Sequence, residues 1–337
     1  MSSTPSGPTE PTDPTPSQTG EAGSLSAVPG AEPPAGAGGS RPSKGESLRR
    51  RAAQEAPPAP EPLRVPVADS HTHLDMQSGT VEEALAAASA AGVRTLVQVG
   101  CDLEGSRWAA ATAAAHDAIW AAVALHPNEA PKLVHGASED DMGGPRPAGG
   151  QAALEAALEE IDALAALPQV RGVGETGLDH FRTGPEGVAA QQHSFRRHIE
   201  IAKRHGKALV IHDREAHDDV LGILEEEGAP ETVVFHCFSG DAAMARLCAD
   251  RGYYLSFAGN ISYKNAQGLR DAAAAVPRDR LLVETDAPFL PPVPYRGRPN
   301  APYLIPLTLR AMAAARGEDE DELAAAVAAN TAAAFRY

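Results

Sequence analysis

"RVPVADSHTHLD", residues 64–75, is the stretch from which the fold is read. An apolar run ends there in two histidines one residue apart. Side chains on a strand alternate faces, so His71 and His73 project together from its end. Packing does not ask for that pairing, and a metal ion does. A lone His-x-His string carries little weight. The reading depends on further ligands lying where one fold can gather them.

Seven more strand-like runs follow: "RTLVQVG" (94–100), "IWAAVAL" (119–125), "VRGVGE" (170–175), "ALVIH" (208–212), "TVVFH" (232–236), "GYYLSF" (252–257) and "RLLVET" (280–285). A helical pattern follows each run. The first covers 81–91 and opens on the capping box "TVEE", with Thr80 as cap and Glu83 three residues on. The others span about 103–116, 151–167, 186–205, 215–227, 241–251, 263–275 and 304–316, and a last one, about 319–334, ends the chain. Several runs are apolar throughout, as expected of parallel strands covered on both faces. Eight βα units after residue 60 fit an α/β fold of the (β/α)8 barrel kind. A doubly wound open sheet is the runner-up. No Gly-x-Gly-x-x-Gly string follows an early strand, which lowers that alternative and argues against a nucleotide cofactor.

Residues 1–60 are a different material. Pro, Gly, Ser, Thr, Ala and Glu dominate, and large apolar side chains are nearly missing. Such a segment buries too little surface to offset its ordering entropy and is expected to be a disordered tail. "RRR", 49–51, reads as a solvated charge cluster within it. The barrel domain is expected over 61–337. The stretch 135–151, rich in Gly, Asp and Pro, reads as a surface excursion between the third strand and its helix.

Of the 337 residues, 43% are hydrophobic, enough for a large core, and the net charge of −16 argues against a basic nucleic-acid footprint. It leaves room for an enzyme that meets phosphates through bound cations. Three cysteines are too few for a disulfide framework. With neither a signal-peptide pattern nor an apolar run of about 18 residues, the expectation is a soluble, cytoplasmic protein without membrane contact.

In a barrel of this kind the active site lies at the C-terminal strand ends. His71 and His73 end the first strand, and His126 follows the third in "ALHPN". Glu175 ends the fourth in "GETGLD", His212 the fifth in "IHDR" and His236 the sixth in "FHCFSG". Glu284 and Asp286 end the eighth in "VETDAPFL". The remaining histidines, such as His116, His198 and His205, read as solvated helix surface. His71, His73, Glu175, His212, His236 and Asp286 exceed one tetrahedral site and suit two metal ions, with Glu175 bridging and Asp286 on the ion that carries water. Buried without a counter-charge, such groups would be costly. Glu284 shares the face of Asp286 and reads as orienting a neighbouring ligand. Cys237 points away from His236 if the strand continues, so it reads as packing.

"DSHTHLD", "GETGLDH", "IHDR", "HCFSG" and "ETDAPFLPPVPYRGRPN", in this order and spacing, resemble the TatD family of metal-dependent hydrolases. The resemblance covers residues 64–337, including the closing "NTAAAF". It implies a TIM barrel of the amidohydrolase type and divalent-metal hydrolysis, typically of DNA phosphodiesters. Some relatives remove D-amino acids from mischarged transfer RNA. By position it marks His71 and His73 as ligands of one metal, Glu175 as the bridge, and His212 and His236 as ligands of the other. It marks Asp286 as a ligand and proton acceptor, Arg214 as a phosphate contact and His126 as a residue near substrate. His180, Ala124, Asn128, Pro299 and Ala301 depart from the usual strings, which touches substrate contacts and not the metal set.

The expected activity is therefore that of a metal-dependent phosphodiesterase, a deoxyribonuclease acting at single-stranded 3′ ends. Metal-activated water attacks, Asp286 takes its proton, and Arg214 forks onto a phosphate oxygen. Tyr295 and Arg296 lie where a base or sugar could be met. The rival activity is D-aminoacyl-tRNA deacylation on the same site, and a weaker rival is a non-catalytic scaffold. Ligand softness suits Zn, Mn, Fe or Ni, and the resemblance adds Mg. DNA ends, or aminoacyl-tRNA, are the expected partners.

Overall fold

The computed structural model describes residues 55–139 and 144–337. Eight strands form one sheet: β1 Val67–Thr72, β2 Val93–Val99, β3 Ile119–Val123, β4 Val170–Asp179, β5 Ala208–Arg214, β6 Val233–Phe235, β7 Tyr254–Phe257 and β8 Leu281–Val283. They stand in chain order and every neighbouring pair is parallel. The described helices are α1 Val81–Ala90, α2 Leu103–Ala115, α3 Glu129–His135, α4 Gly150–Ala165, α5 Pro185–His205, α6 His217–Glu227, α7 Ala242–Asp250, α8 Gln267–Ala275, α9 Ile305–Arg316 and α10 Glu320–Phe335. This is the TIM barrel that the alternation of runs predicts, and not an open sheet.

The barrel closes between β8 and β1 through one buried carboxylate. Asp69 accepts the Thr285 amide on Oδ1 (2.9 Å) and the Thr285 hydroxyl on Oδ2 (2.5 Å). The main chains then meet directly, Asp286 N–H to His71 O at 2.9 Å and His73 N–H to Ala287 O at 2.8 Å. Burial, with Glu284 nearby, lifts the Asp69 carboxyl to about 8 against the bonds from Thr285.

Strand alternation sorts the core into two parts. Leu96, Leu209, Ile211, Val233, Phe235 and Leu281 face the helices. Val97, Val99, Ala122, Ala208, Val210, Val234 and Leu282 cluster inside with Phe335, the last residue of α10. Thin alanine-rich helices pack closely on such strands. The expected capping box opens α1: Thr80 Oγ1 accepts from Glu83 N–H at 3.2 Å, and Glu83 Oε2 accepts from Thr80 N–H at 3.0 Å.

Several boundaries differ from the sequence reading. β4 does not end at Glu175 but runs on to Asp179, while β3, β6 and β8 stop early. Tyr263–Ala266 turn before α8 rather than joining it, and α3 is an additional helix after β3. In the 135–151 stretch, Ala137 and Arg146 pair as an antiparallel bridge. Most of the predicted tail, including 49–51, lies outside the described residues. Its end does not behave as tail: Arg298 donates to Glu55 O (2.7 Å) and Ala56 O (2.9 Å), and Tyr303 donates to Pro57 O (2.6 Å). Among the described residues no helix is long and apolar enough to cross a membrane.

His198 is buried, not solvated helix surface. Its Nδ1–H donates to Ser194 O at 2.7 Å, and its Nε2 accepts from Leu125 N–H at 3.1 Å. A helix residue thereby holds the end of β3. Burial pushes the imidazole down to about 4, so it folds neutral. The unfolded chain binds a proton near the ordinary value and the folded chain does not. Stability from this residue is therefore complete above pH 6.5 and falls as pH drops toward 4. The stability advantage of wild type over His198→Gln is expected to shrink by about 3 kcal/mol between pH 7 and 4, read by denaturant unfolding. A gap that stays constant across this range would refute the assignment.

Candidate metal centre

The inner face of the barrel continues into the site by the same two-residue step. Val97 and Val99 lead to Cys101, Ala122 and Ala124 to His126, Val210 to His212, Val234 to His236, and Leu282 to Glu284 and Asp286. β4 breaks the step. Its pairing with β5 shifts between Val173 and Thr176, which turns Glu175 inward. Gly177 lies against β5 so closely that a Cβ would stand 2.1 Å from His212 O, at a φ of +137° that disfavours any side chain.

Glu175, only 4% exposed, is the hub. Its Oε1 faces His212 Nδ1 at 2.6 Å, His236 Nε2 at 2.8 Å and His126 Nε2 at 3.3 Å. Its Oε2 faces His71 Nε2 at 3.4 Å and His73 Nε2 at 3.8 Å. Burial alone would raise this carboxyl. The charge of His236, then the imidazole of His126 with its N–H bond, outweigh it and hold it well below its usual range.

On the Oε2 side the spacing is that of ligands around an ion. His71 Nε2 and His73 Nε2 stand 3.2 Å apart, and Asp286 Oδ1 lies 3.6 Å from His73 and 3.9 Å from His71. Metal bonds of about 2.1 Å place neighbouring ligand atoms about 3.0–3.4 Å apart. His73 Nδ1–H donates to Val99 O at 2.9 Å, which leaves the Nε2 lone pair facing the centre. The ligand atoms fall into three overlapping groups that could hold an ion: His71, His73 and Glu175; His71, His236 and Asp286; His126, Glu175 and His212. The donor set thus fits divalent metal. Contacts on the Oε1 side are shorter, at hydrogen-bond length, and an ion there would take the place of protons.

All six sequence-read ligands meet at this one point. His236 sits between the two sides, stacked on His71 at 3.9 Å, rather than with His212 alone. His126 joins the His212 group, and its tautomer is fixed. Nδ1 accepts the Asn128 amide at 3.1 Å, so the proton sits on Nε2 and points at Glu175. Burial lowers this imidazole to about 4, which keeps it a neutral donor. Glu284 lies 3.3 Å from His236 Nδ1 and accepts the Cys237 amide at 2.7 Å, consistent with an orienting role. Cys237 does not continue the strand. β6 stops at Phe235, and Cys237 takes φ +43°. Burial, then the nearby carboxylates of Asp286 and Glu284, push its thiol well up, so it stays protonated.

The sequence reading missed Asp179 and Cys101. Asp179 Oδ2 lies 3.3 Å from His212 Nε2 and accepts Asn128 Nδ2 at 3.1 Å. Cys101 Sγ lies 3.8 Å from both Glu175 and His73. Arg214 ends β5, half-buried, with its guanidinium 4.0 Å over the Phe181 ring. Tyr295 and Arg296 have other partners: Arg298 lies over the Tyr295 ring at 5.7 Å and Arg296 over the Tyr263 ring at 4.2 Å. Among the described residues no contact joins either to the six ligands, so the structure brings them to the loop after β8 and not to the centre. Beside the centre, between the loops after β1 and β2, a cavity of about 410 Å³ is lined by Asp75, Met76, Cys101, Asp102, Glu104 and Trp108.

Comparison with known proteins gives the same picture. Residues 68–336 match the family model described as TatD related DNase. A Mycobacterium tuberculosis protein named an uncharacterized metal-dependent hydrolase, TatD, is 42% identical over 79% of this chain and 97% of its own. Bacillus subtilis YabD, likewise named a metal-dependent hydrolase, is 34% identical over 80% and 98%. The crystal structure of the Escherichia coli TatD homolog YjjV superposes with a TM-score of 0.68 at 30% identity, over 80% of this chain and 98% of that one.

Adding Mn or Zn to chelator-stripped wild type is expected to raise its Tm by about 5–10 °C, as ligand binding to the folded state alone requires. Glu175→Gln is expected to shift by no more than about 2 °C under the same addition. Equal shifts in the two proteins would show that Glu175 is not part of the metal site.

Proposed function

Because the chain belongs to the TatD-related DNase family and is a metal-dependent hydrolase, we propose that it hydrolyses DNA phosphodiesters at single-stranded 3′ ends. The observation that carries this reading is Glu175, whose two carboxylate oxygens face two different sets of imidazoles. Two divalent ions, Mg, Mn or Zn, would be held by His71, His73, Glu175, His212, His236 and Asp286. When bound, such ions lower the pKa of water and neutralise charge on phosphate oxygens.

The chain's own groups do the rest. Asp286, 9% exposed at the mouth, is placed to take a proton from the attacking water. Its backbone is pinned by the bond to His71 O, and its φ is +52°. His126 Nε2–H, which faces Glu175, would be free to meet a substrate oxygen once ions occupy that carboxylate. Arg214 offers a planar fork that suits phosphate, and among the described residues no carboxylate pairs with it. Net charge of −16 disfavours long duplex DNA, which binds largely by counterion release, and favours a strand end brought to a cation-holding pocket.

One observation favours a second reading, D-aminoacyl-tRNA deacylation. The cavity beside the centre carries Asp75, Asp102 and Glu104, carboxylates that could receive the ammonium of an aminoacyl ester. Retention of every ligand speaks against a non-catalytic scaffold.

Purified protein with added Mn or Mg is expected to trim 3′-labelled single-stranded DNA. Asp286→Asn is expected to lower kcat by about 10²-fold or more. Turnover of a D-aminoacyl-tRNA with no trimming would replace the first reading by the second. Equal trimming by both proteins would remove Asp286 from the mechanism.

A further inference from the structure

Phe181 is 57% exposed, among the few large apolar side chains at the surface. It lies two residues past β4, on the catalytic face. Nothing in the packing explains a phenyl ring left in water there. Its position is nevertheless built with care from inside the site. Asp179, fully buried, accepts the Phe181 amide at 3.1 Å and the Arg182 amide at 2.8 Å on Oδ1, while its Oδ2 faces His212 and Asn128. Gln191 holds the same turn through the Asp179 amide (3.1 Å) and the Thr183 hydroxyl (2.7 Å). Thr183 in turn donates to Asn128 Oδ1 at 2.9 Å. The ring is therefore carried by a rigid turn bonded to residues of the centre.

One face of that ring is covered by the Arg214 guanidinium at 4.0 Å, and Arg214 is paired in register with Asp179 across β4 and β5. A guanidinium held over a ring by cation–π attraction loses freedom and keeps N–H groups for an anion. Arg214 stands two residues after His212 on β5, so its side chain leaves the strand on the same face as that ligand. A polyanion has reason to pass on this side. The cavity between the loops after β1 and β2 is lined by Asp75, Asp102 and Glu104, with no cation among its described lining residues, and it repels phosphates.

Resting on the phosphodiesterase reading, we infer that Phe181 and Arg214 form a stacking step for one unpaired base of the substrate strand. The Phe181 ring takes the base, and Arg214 takes the adjoining phosphate. Paired bases in a duplex are already stacked and do not present a free face, so the step selects single strands. Bases of any kind have a π-face, so it does not read sequence.

The test compares a single-stranded oligonucleotide with the same strand made abasic near its 3′ end, so that the phosphodiesters are unchanged. Wild type is expected to cleave the base-bearing strand with kcat/KM about tenfold or more above the abasic one. Phe181→Ala and Phe181→Leu are expected to lose that advantage, so that the two strands are cleaved at nearly equal kcat/KM. Phe181→Trp is expected to retain it. If Phe181→Ala slows both strands alike, the ring only steadies Arg214 and the inference falls. Binding of both labelled strands to metal-loaded Asp286→Asn protein, by fluorescence anisotropy, separates the two hypotheses. A base-dependent affinity lost in the Phe181→Ala, Asp286→Asn double variant supports the step even if wild type cleaves no DNA, in which case only the reaction was misread. Affinity that ignores the bases, or ignores Phe181, overturns the step whether or not DNA is cut.

Discussion

The burial of Glu175 is the constraint on which the rest depends. A carboxylate taken out of water without compensation costs several kcal/mol or ionises no longer. Here five imidazoles from the ends of β1, β3, β5 and β6 converge on its two oxygens within 3.8 Å. Strands diverging in an open sheet could not supply them, because the first and the sixth would stand far apart. A closed barrel makes them neighbours. Closure in turn rests on Asp69 and Thr285, which bind β8 to β1 just below His71 and Asp286. One carboxylate shuts the barrel, and a second gathers the strand ends that closure brings near.

Electrostatics in the centre is consequently mutual. His236 is held well up, against burial, by Glu175 and Glu284, while Glu175 is held down by His236 and His126. Among themselves these residues form a hydrogen-bonded cluster in which some imidazoles, His236 first, favour the charged form and others, His71 and His126, the neutral one. Divalent ions carry the same positive charge to the same lone pairs. The Oε2 side already has the wider spacing that ions require, which is why the residues read as a metal site and not as a satisfied polar core.

Most of this was legible in the sequence because strand alternation is rigid. Once Val210 and Val234 are assigned to the inside, His212 and His236 must follow, and the site is the last layer of the core pattern. The illegible parts are those where alternation breaks or an acceptor lies far along the chain. β4 passes Glu175 because Gly177 lets it press against His212 O, and that hidden length carries Asp179 into the centre. His198 resembled helix surface by composition, and only the Leu125 amide 73 positions away explains its burial. Cys237 was assigned by extending a strand that stops at Phe235. Residues 55–57 have tail composition, yet their carbonyls are received by Arg298 and Tyr303, whose partners no local pattern reveals.

The division of labour that results is physical. The inner residues are fixed by the barrel, and their chemistry serves any ester or phosphodiester whose oxygen reaches the centre. Choice among substrates must come from what surrounds the mouth, and there the two sides differ in sign. The loops after β1 and β2 present three carboxylates around Trp108 and Met76, whereas the ends of β4 and β5 present a guanidinium lying on an exposed ring. A chain with net charge −16 cannot gather a polyanion by its general field. It has to offer local cations and apolar faces, placed so that only a short, unpaired end of the strand finds both. Arg214 and Phe181 are such a pair: each follows a ligand closely, His212 and Glu175, on the same strand or just beyond it, yet neither belongs to the ligand groups, so they can vary the substrate without disturbing the metals.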